Sequence, residues 1–221
     1  MPTAARVQSA VRRLQNVDHN AVDAGVVWYS FVTVDRELGS PDPTAFRLHT
    51  TASQYEPLAA RGERHRRHQL SFVNGEAYGT DGARRGWLLF SVPYRDPVRD
   101  AVLTRGEHAW RLPTETVERL RATPPRFTVR DIVTPESPSP NEPFDVRLRI
   151  ANDGGPGTFR GAFNYTAPLY YPQGFTAEFA GGENRTVPVT VTIHTDTGAT
   201  ELAAWLASPD GNDHEWRVTF G

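Results

Sequence analysis

The sequence predicts an all-β protein of two tandem β-sandwich domains, residues 1–124 and 125–221, with a short helix near the end of the first. Three observations carry that expectation. Apolar residues alternate with polar ones, most cleanly at Phe144, Val146, Leu148 and Ile150 with Asp145, Arg147 and Arg149 between them, which is the period of a strand with one face buried. Eighteen glycines and eighteen prolines are spread over 221 residues, enough turn formers to cut the chain into short strands. Pro124-Pro125 breaks the chain near its middle, and each half is long enough to bury a core of its own.

Composition sets outer bounds on function. With 24 basic and 26 acidic residues the net charge is −2, so no global field draws the chain to nucleic acid or to an anionic membrane. Every basic residue is arginine, a pattern read as the codon bias of a GC-rich genome. There is no cysteine, which excludes disulfides, thiolate metal sites and cysteine nucleophiles. No apolar run reaches signal-peptide or membrane-spanning length, and the chain is expected to be soluble as it stands.

In the first half, Val7, Val11 and Leu14 fall at helical spacing, yet the stretch fits an edge strand equally well and is read as a strand. Residues 25–34, GVVWYSFVTV, are dense in β-branched and aromatic side chains, as in a central strand buried on both faces. A proline-bearing break at 38–43 precedes an alternating strand at 45–49, with Phe46 and Leu48 on one face. Residues 61–68 read as a solvated charged loop, and 70–72 as a short apolar segment ahead of an Asn74-Gly75 turn and a glycine-rich loop at 78–86. Core strands are expected at 87–92, ended by Pro93, and at 100–104, followed by 110–112. The helix is expected at 114–121, with Thr114 as N-cap, acidic residues early, arginines late, and Val117 and Leu120 on one face.

The second half opens with a strand at 127–133, a proline-rich turn, and the alternating strand at 144–152. After a turn at 153–157, further strands are expected at 158–165, 175–179, 186–193, 201–207 and 216–220. Within 186–193, Val187, Val189, Val191 and Ile193 point inward, and Pro188, unable to donate to a ladder, marks an edge or a bulge. Six or seven strands in so short a stretch predict a sandwich.

The run FTVRDIVTPESPSPNEPFDVRLRIANDGGPGTFRGAFN, with the later NRTVPVTVTI, resembles the immunoglobulin-like module known as the cell-adhesion-related domain found in bacteria. The first half, through VVWYSFVTV, PDPTAFRLHTTASQYEPL, GWLLFSVP and AWRLP, is similar to a second immunoglobulin-like type of exported prokaryotic proteins. The two resemblances cover nearly the whole chain. They imply tandem immunoglobulin-like β-sandwiches in a surface or exported, often archaeal, protein, and they bring no catalytic residues. The near-neutral charge departs from the strong acidity of exported proteins from salt-loving archaea, so no high-salt origin is inferred.

Candidate chemistry is sparse. His65 and His68 have H-x-x-H spacing, but they supply half a zinc site at most, and Arg64, Arg66 and Arg67 around them repel a cation; no metal site is expected. Arginine forks suit oxyanions, so Arg61, Arg64, Arg66 and Arg67, joined by Arg84 and Arg85 if the loops converge, form a candidate anion-binding patch. The glycine-rich loop at 78–86 matches no phosphate-binding cradle. Asp196, Asp210 and Asp213 lie in expected turns, where Asx turns account for aspartate without calcium. No Gly-x-Ser-x-Gly elbow frames a catalytic triad. Tyr165, Tyr170, Tyr171 and Phe175 are the candidate contact surface for a sugar or a protein partner. Asn164-Tyr165-Thr166 and Asn184-Arg185-Thr186 match the N-glycosylation triplet.

The functional expectation is a non-catalytic binding or structural module of an exported or cell-surface protein. It needs no cofactor, takes a protein or surface polysaccharide as partner, and attaches to a membrane only through a leader or anchor not present in this sequence. The alternatives are anion or nucleic-acid binding through the loop at 61–68, and an accessory role in a larger enzyme or transporter complex.

Overall fold

The computed structural model describes residues 2–8, 11–15, 18–22, 27–35, 42–57, 85–94, 98–166, 173–195, 199–209 and 213–221; before residue 42, and at 85, 87 and 213, it describes the backbone alone. The chain opens with strands β1 (Pro2–Gln8), β2 (Val11–Gln15), β3 (Asp18–Val22) and β4 (Val27–Asp35). A 3₁₀ turn at Pro43–Ala45 leads into β5 (Phe46–Thr50) and β6 (Gln54–Tyr55), then β7 (Arg85–Pro93), β8 (Ala101–Arg105), β9 (His108–Arg111) and the helix α1 (Thr114–Arg121). The rest is strand again: β10 (Phe127–Val133), β11 (Pro143–Asn152), β12 (Gly157–Tyr165), β13 (Gln173–Phe179), β14 (Asn184–Thr192), β15 (Glu201–Ala207) and β16 (Asp213–Thr219). The fold is all-β, a sheet sandwich with one α-helix among the described residues.

Contacts divide the chain into two units, Met1–Ser9 with Val26–Pro124 and Ala10–Gly25 with Pro125–Gly221. Residues 10–25, expected in the first domain, group with the second unit instead. The stretch around Val7, Val11 and Leu14 forms two strands and no helix, because each finds a ladder: β1 pairs with β4, and β2 forms a hairpin with β3.

In the first unit β4 lies between β1 and β7, the central position its β-branched composition predicts, and a second sheet runs β6-β5-β8-β9. Leu88, Phe90 and Val92 of β7 meet Phe46 and Leu48 of β5, Ala101 and Leu103 of β8, and Val117 and Leu120 of α1 in one core. Each large side chain withdrawn there contributes roughly 1.5–3 kcal/mol relative to exposure. The helix has the expected span, but its N-cap is Pro113, which makes no side-chain capping bond, and Thr114 is already helical. Pro113 serves because its extended backbone aims its carbonyl oxygen at the amides of Thr116 and Val117. Glu115 early and Arg119 and Arg121 late complement the helix dipole.

In the second unit a sheet of order β10-β11-β14 and one of order β13-β12-β15-β16 enclose a core. Val146, Leu148 and Ile150 of β11 and Val187 and Val191 of β14 meet Phe159 and Phe163 of β12 and Leu206 of β15. Pro188 sits on β14 at the end of its sheet, where a missing N–H breaks no ladder. β12 is buried on both faces over its last residues: Phe163 and Tyr165 enter the core, yet Ala162 and Asn164 on the alternate face are equally withdrawn from solvent. The β2–β3 hairpin runs beside β12 and β15 in the same unit.

Candidate functional site

Two side-chain amides of the second unit bind its own main chain in the manner of a strand. Asn141 adopts a left-handed backbone, φ 62°, which asparagine tolerates better than most residues. From there its Oδ1 accepts from the Thr195 amide at 3.1 Å and its Nδ2 donates to the Thr195 carbonyl at 3.2 Å. Gln173 does the same one strand away, its Nε2 donating to the Thr192 carbonyl and its Oε1 accepting from the Thr192 amide. In both cases a side-chain amide imitates a neighbouring strand. The Gln173 pair ties β13 to β14 across the side of the sandwich.

Behind Gln173 the two sheets leave a narrow apolar cavity, bounded by Phe144 and Val191 on one side and Tyr165, Trp216 and Val218 on the other. Its volume is about 10 Å³, the space of a single water and far below that of a small-molecule pocket. The indole Nε1–H of Trp216 is buried without a hydrogen-bond partner among the described residues.

The aromatic residues expected on the surface are placed otherwise. Tyr165 is only 1% exposed and packs with Ile193, Ala204 and Val218. It points inward because it shares the phase of Phe159 and Phe163 on β12, a periodicity already present in the sequence. Phe175 is half-buried and stacks on Phe159 and Phe163, with centroids 5.7 and 5.4 Å apart. The position opposite it is Gly161, where a Cβ would stand 2.6 Å from the Phe175 ring; the missing side chain is what lets the ring lie flat across the strand. Tyr165 therefore offers no free ring face, contrary to expectation, and Phe175 keeps only part of its side chain exposed. Tyr170 and Tyr171 lie outside the described residues.

Arg61, Arg64, Arg66, Arg67 and Arg84 lie outside the described residues, as do His65 and His68, and Arg85 is described only as the first backbone position of β7. Asp196 and Asp210 also lie outside, while Asp213 begins β16. Among the described residues no three His, Cys, Asp or Glu side chains gather as a metal site, and no helix is long and apolar enough to cross a membrane. The two glycosylation triplets separate sharply. Asn164 is fully buried, which removes it as an acceptor in the folded chain, whereas Asn184 and Thr186 are both exposed on β14.

No protein-family model matches the chain, and none of the curated proteins matches it. Among solved structures, a β-glucosidase from Listeria innocua in complex with gluconolactone aligns over 44% of this chain and 16% of its own, at 15% identity and a TM-score of 0.36. The same enzyme in complex with glucose aligns over the same shares at 12% identity and a TM-score of 0.36. At that level the likeness carries no argument about activity.

Proposed function

We propose that this chain is a non-catalytic binding or structural module of an exported or cell-surface protein, built from immunoglobulin-like sandwiches. One observation carries the reading: the amides of Asn141, Asn152 and Gln173 are all committed to holding main chain in place. Side-chain amides used this way make a stiff frame, and a stiff frame suits a module whose loops meet a partner. The sequence resemblance to bacterial adhesion-related modules supports the same reading, with a protein or a surface polysaccharide as partner.

Fractionation of the native source with an antibody against the folded chain tests it, combined with cross-linking on intact cells. The expected result is recovery in the surface or secreted fraction and a cross-link to an envelope protein or polysaccharide. Recovery from the cytosol alone overturns the exported reading, and substrate turnover that copurifies with this chain and is lost on its mutation overturns the non-catalytic one.

A further inference from the structure

We propose that Asn184 is an N-glycan acceptor, an inference that rests on the exported reading above. Of the two acceptor triplets in the sequence, the fold leaves one usable. Asn164 is fully buried on β12 and its Nδ2 faces the Ala162 carbonyl at 3.5 Å. Asn184 opens β14 directly after the turn at Gly181, Gly182 and Glu183, and Gly182 is in the left-handed region at φ 75°. Two residues apart on one strand, Asn184 and Thr186 project from the same face, and both are exposed. No hydrogen bond holds either side chain among the described residues. The residue between them turns the other way: Arg185 lies over the Phe179 ring at 4.5 Å and bonds the Glu178 carbonyl at 2.6 Å, so it clears the approach to Asn184. β14 is also an edge strand, with no strand ladder-paired on its other side among the described residues.

Other asparagines show what this one lacks. The Nδ2 of Asn152 donates to the Gly155 and Ala180 carbonyls at 2.8 and 2.9 Å, and that of Asn141 donates to Thr195; both amides are committed. The reaction assigned to Asn184 is transfer from a polyprenyl-phosphate-linked oligosaccharide. The anomeric carbon–oxygen bond of the donor breaks, a bond from that carbon to Nδ2 forms, one amide proton is released, and the lipid phosphate leaves with the bonding electron pair. No oxidation or reduction is involved.

Intact mass and peptide mapping of the chain from the surface fraction of its native source test the assignment, using the natural sequence with Asn184→Gln, Thr186→Val and Asn164→Gln. The expected result is an oligosaccharide mass increment on the peptide containing Asn184, lost completely in Asn184→Gln and Thr186→Val and kept in Asn164→Gln. A surface-located chain at the mass its sequence dictates overturns the glycan assignment and leaves the exported reading standing, and an increment mapped to Asn164 overturns it too. A second arm keeps the two readings apart if the chain is found only in the cytosol. There the folded, purified chain is incubated with an oligosaccharyl transferase and its lipid-linked donor, and absence of transfer to Asn184 overturns the acceptor site independently of location.

Discussion

A single carboxamide, that of Asn152, joins three stretches of main chain. Its Oδ1 accepts from the amides of Arg126 at 2.9 Å and Gly154 at 3.1 Å, and its Nδ2 reaches the carbonyls of Gly155 and Ala180. Removing it leaves donors and acceptors without their partner in a partly buried place, at a cost of up to about 1–3 kcal/mol each where water does not replace it. Asn152→Ala is expected to destabilise the second unit by about 2–4 kcal/mol, read in denaturant unfolding and in faster hydrogen exchange at the Arg126 and Gly154 amides. Thr116 presents the reverse case: it is buried on α1, and its hydroxyl has no hydrogen-bond partner among the described residues. Thr116→Val keeps the shape and removes the stranded hydroxyl, so it should raise stability by about 1 kcal/mol in thermal unfolding. At Asp42 the charge itself is held: the Thr44 amide donates to its Oδ1 at 2.8 Å, and that bond, with a second from the Thr44 side chain, lowers the Asp42 pKa below the ordinary aspartate value. A carboxylate with a depressed folded pKa contributes stability above its unfolded pKa and loses it as pH falls through the folded one. NMR titration should therefore place the Asp42 midpoint below that of the same segment unfolded. The Asn-Asp-Gly turn was visible in the sequence, but the reach of Asn152 to Arg126 and Ala180 was not, because those partners are far away along the chain and only the folded sheets bring them close.

Strands were legible wherever period-2 alternation met a buried face. β5, β11 and β14 bury the residues their patterns select, and α1 buries Val117 and Leu120. What failed lay where the period says nothing. β3, DHNAV, has almost no apolar face and is a strand because β2 supplies its ladder, while the helix cap went to Pro113 because a backbone carbonyl satisfied the orphan amides without any side chain. At the candidate site the period did mark Tyr165 as inward, in phase with Phe159 and Phe163, whereas the glycine beneath Phe175 takes effect only once β13 lies against β12. Pro188 shows a local signal read correctly, and it has a consequence at the level of the strand. With no strand ladder-paired beyond β14 among the described residues, a proline there withholds a donor from any strand that approaches the edge. Pro188→Val should leave folding stability within about 0.5–1 kcal/mol and raise self-association, measured as a larger species in size-exclusion chromatography with light scattering; an unchanged monomer profile at high concentration counts against this protective role.

At the scale of the whole molecule the sequence break at Pro124-Pro125 was visible, and the excursion of residues 10–25 was not. Nothing in a linear reading says that a segment near the start belongs with strands more than a hundred residues later; the information lies in the alternate face of β12. Ala162 and Asn164 there are small or polar, and a strand that faced water on that side would leave them exposed. They are instead fully buried, and Ala207 in register with Ala162 across β15 is covered as well. Small side chains permit close approach of another backbone, and the β2–β3 hairpin is the element that runs beside β12 and β15. The second unit is thus completed by residues from the other end of the chain. Replacing residues 10–25 with a short Gly-Ser linker should uncover this face and leave the Asn164 amide group to find water. The expected outcome is faster hydrogen exchange across β12 and β15 and a lower unfolding midpoint for the second unit, with the core strands β5, β7 and β8 of the first unit protected as before. If β12 exchanges at the same rate without the hairpin, residues 10–25 do not cover it, and the second unit is closed by 125–221 alone.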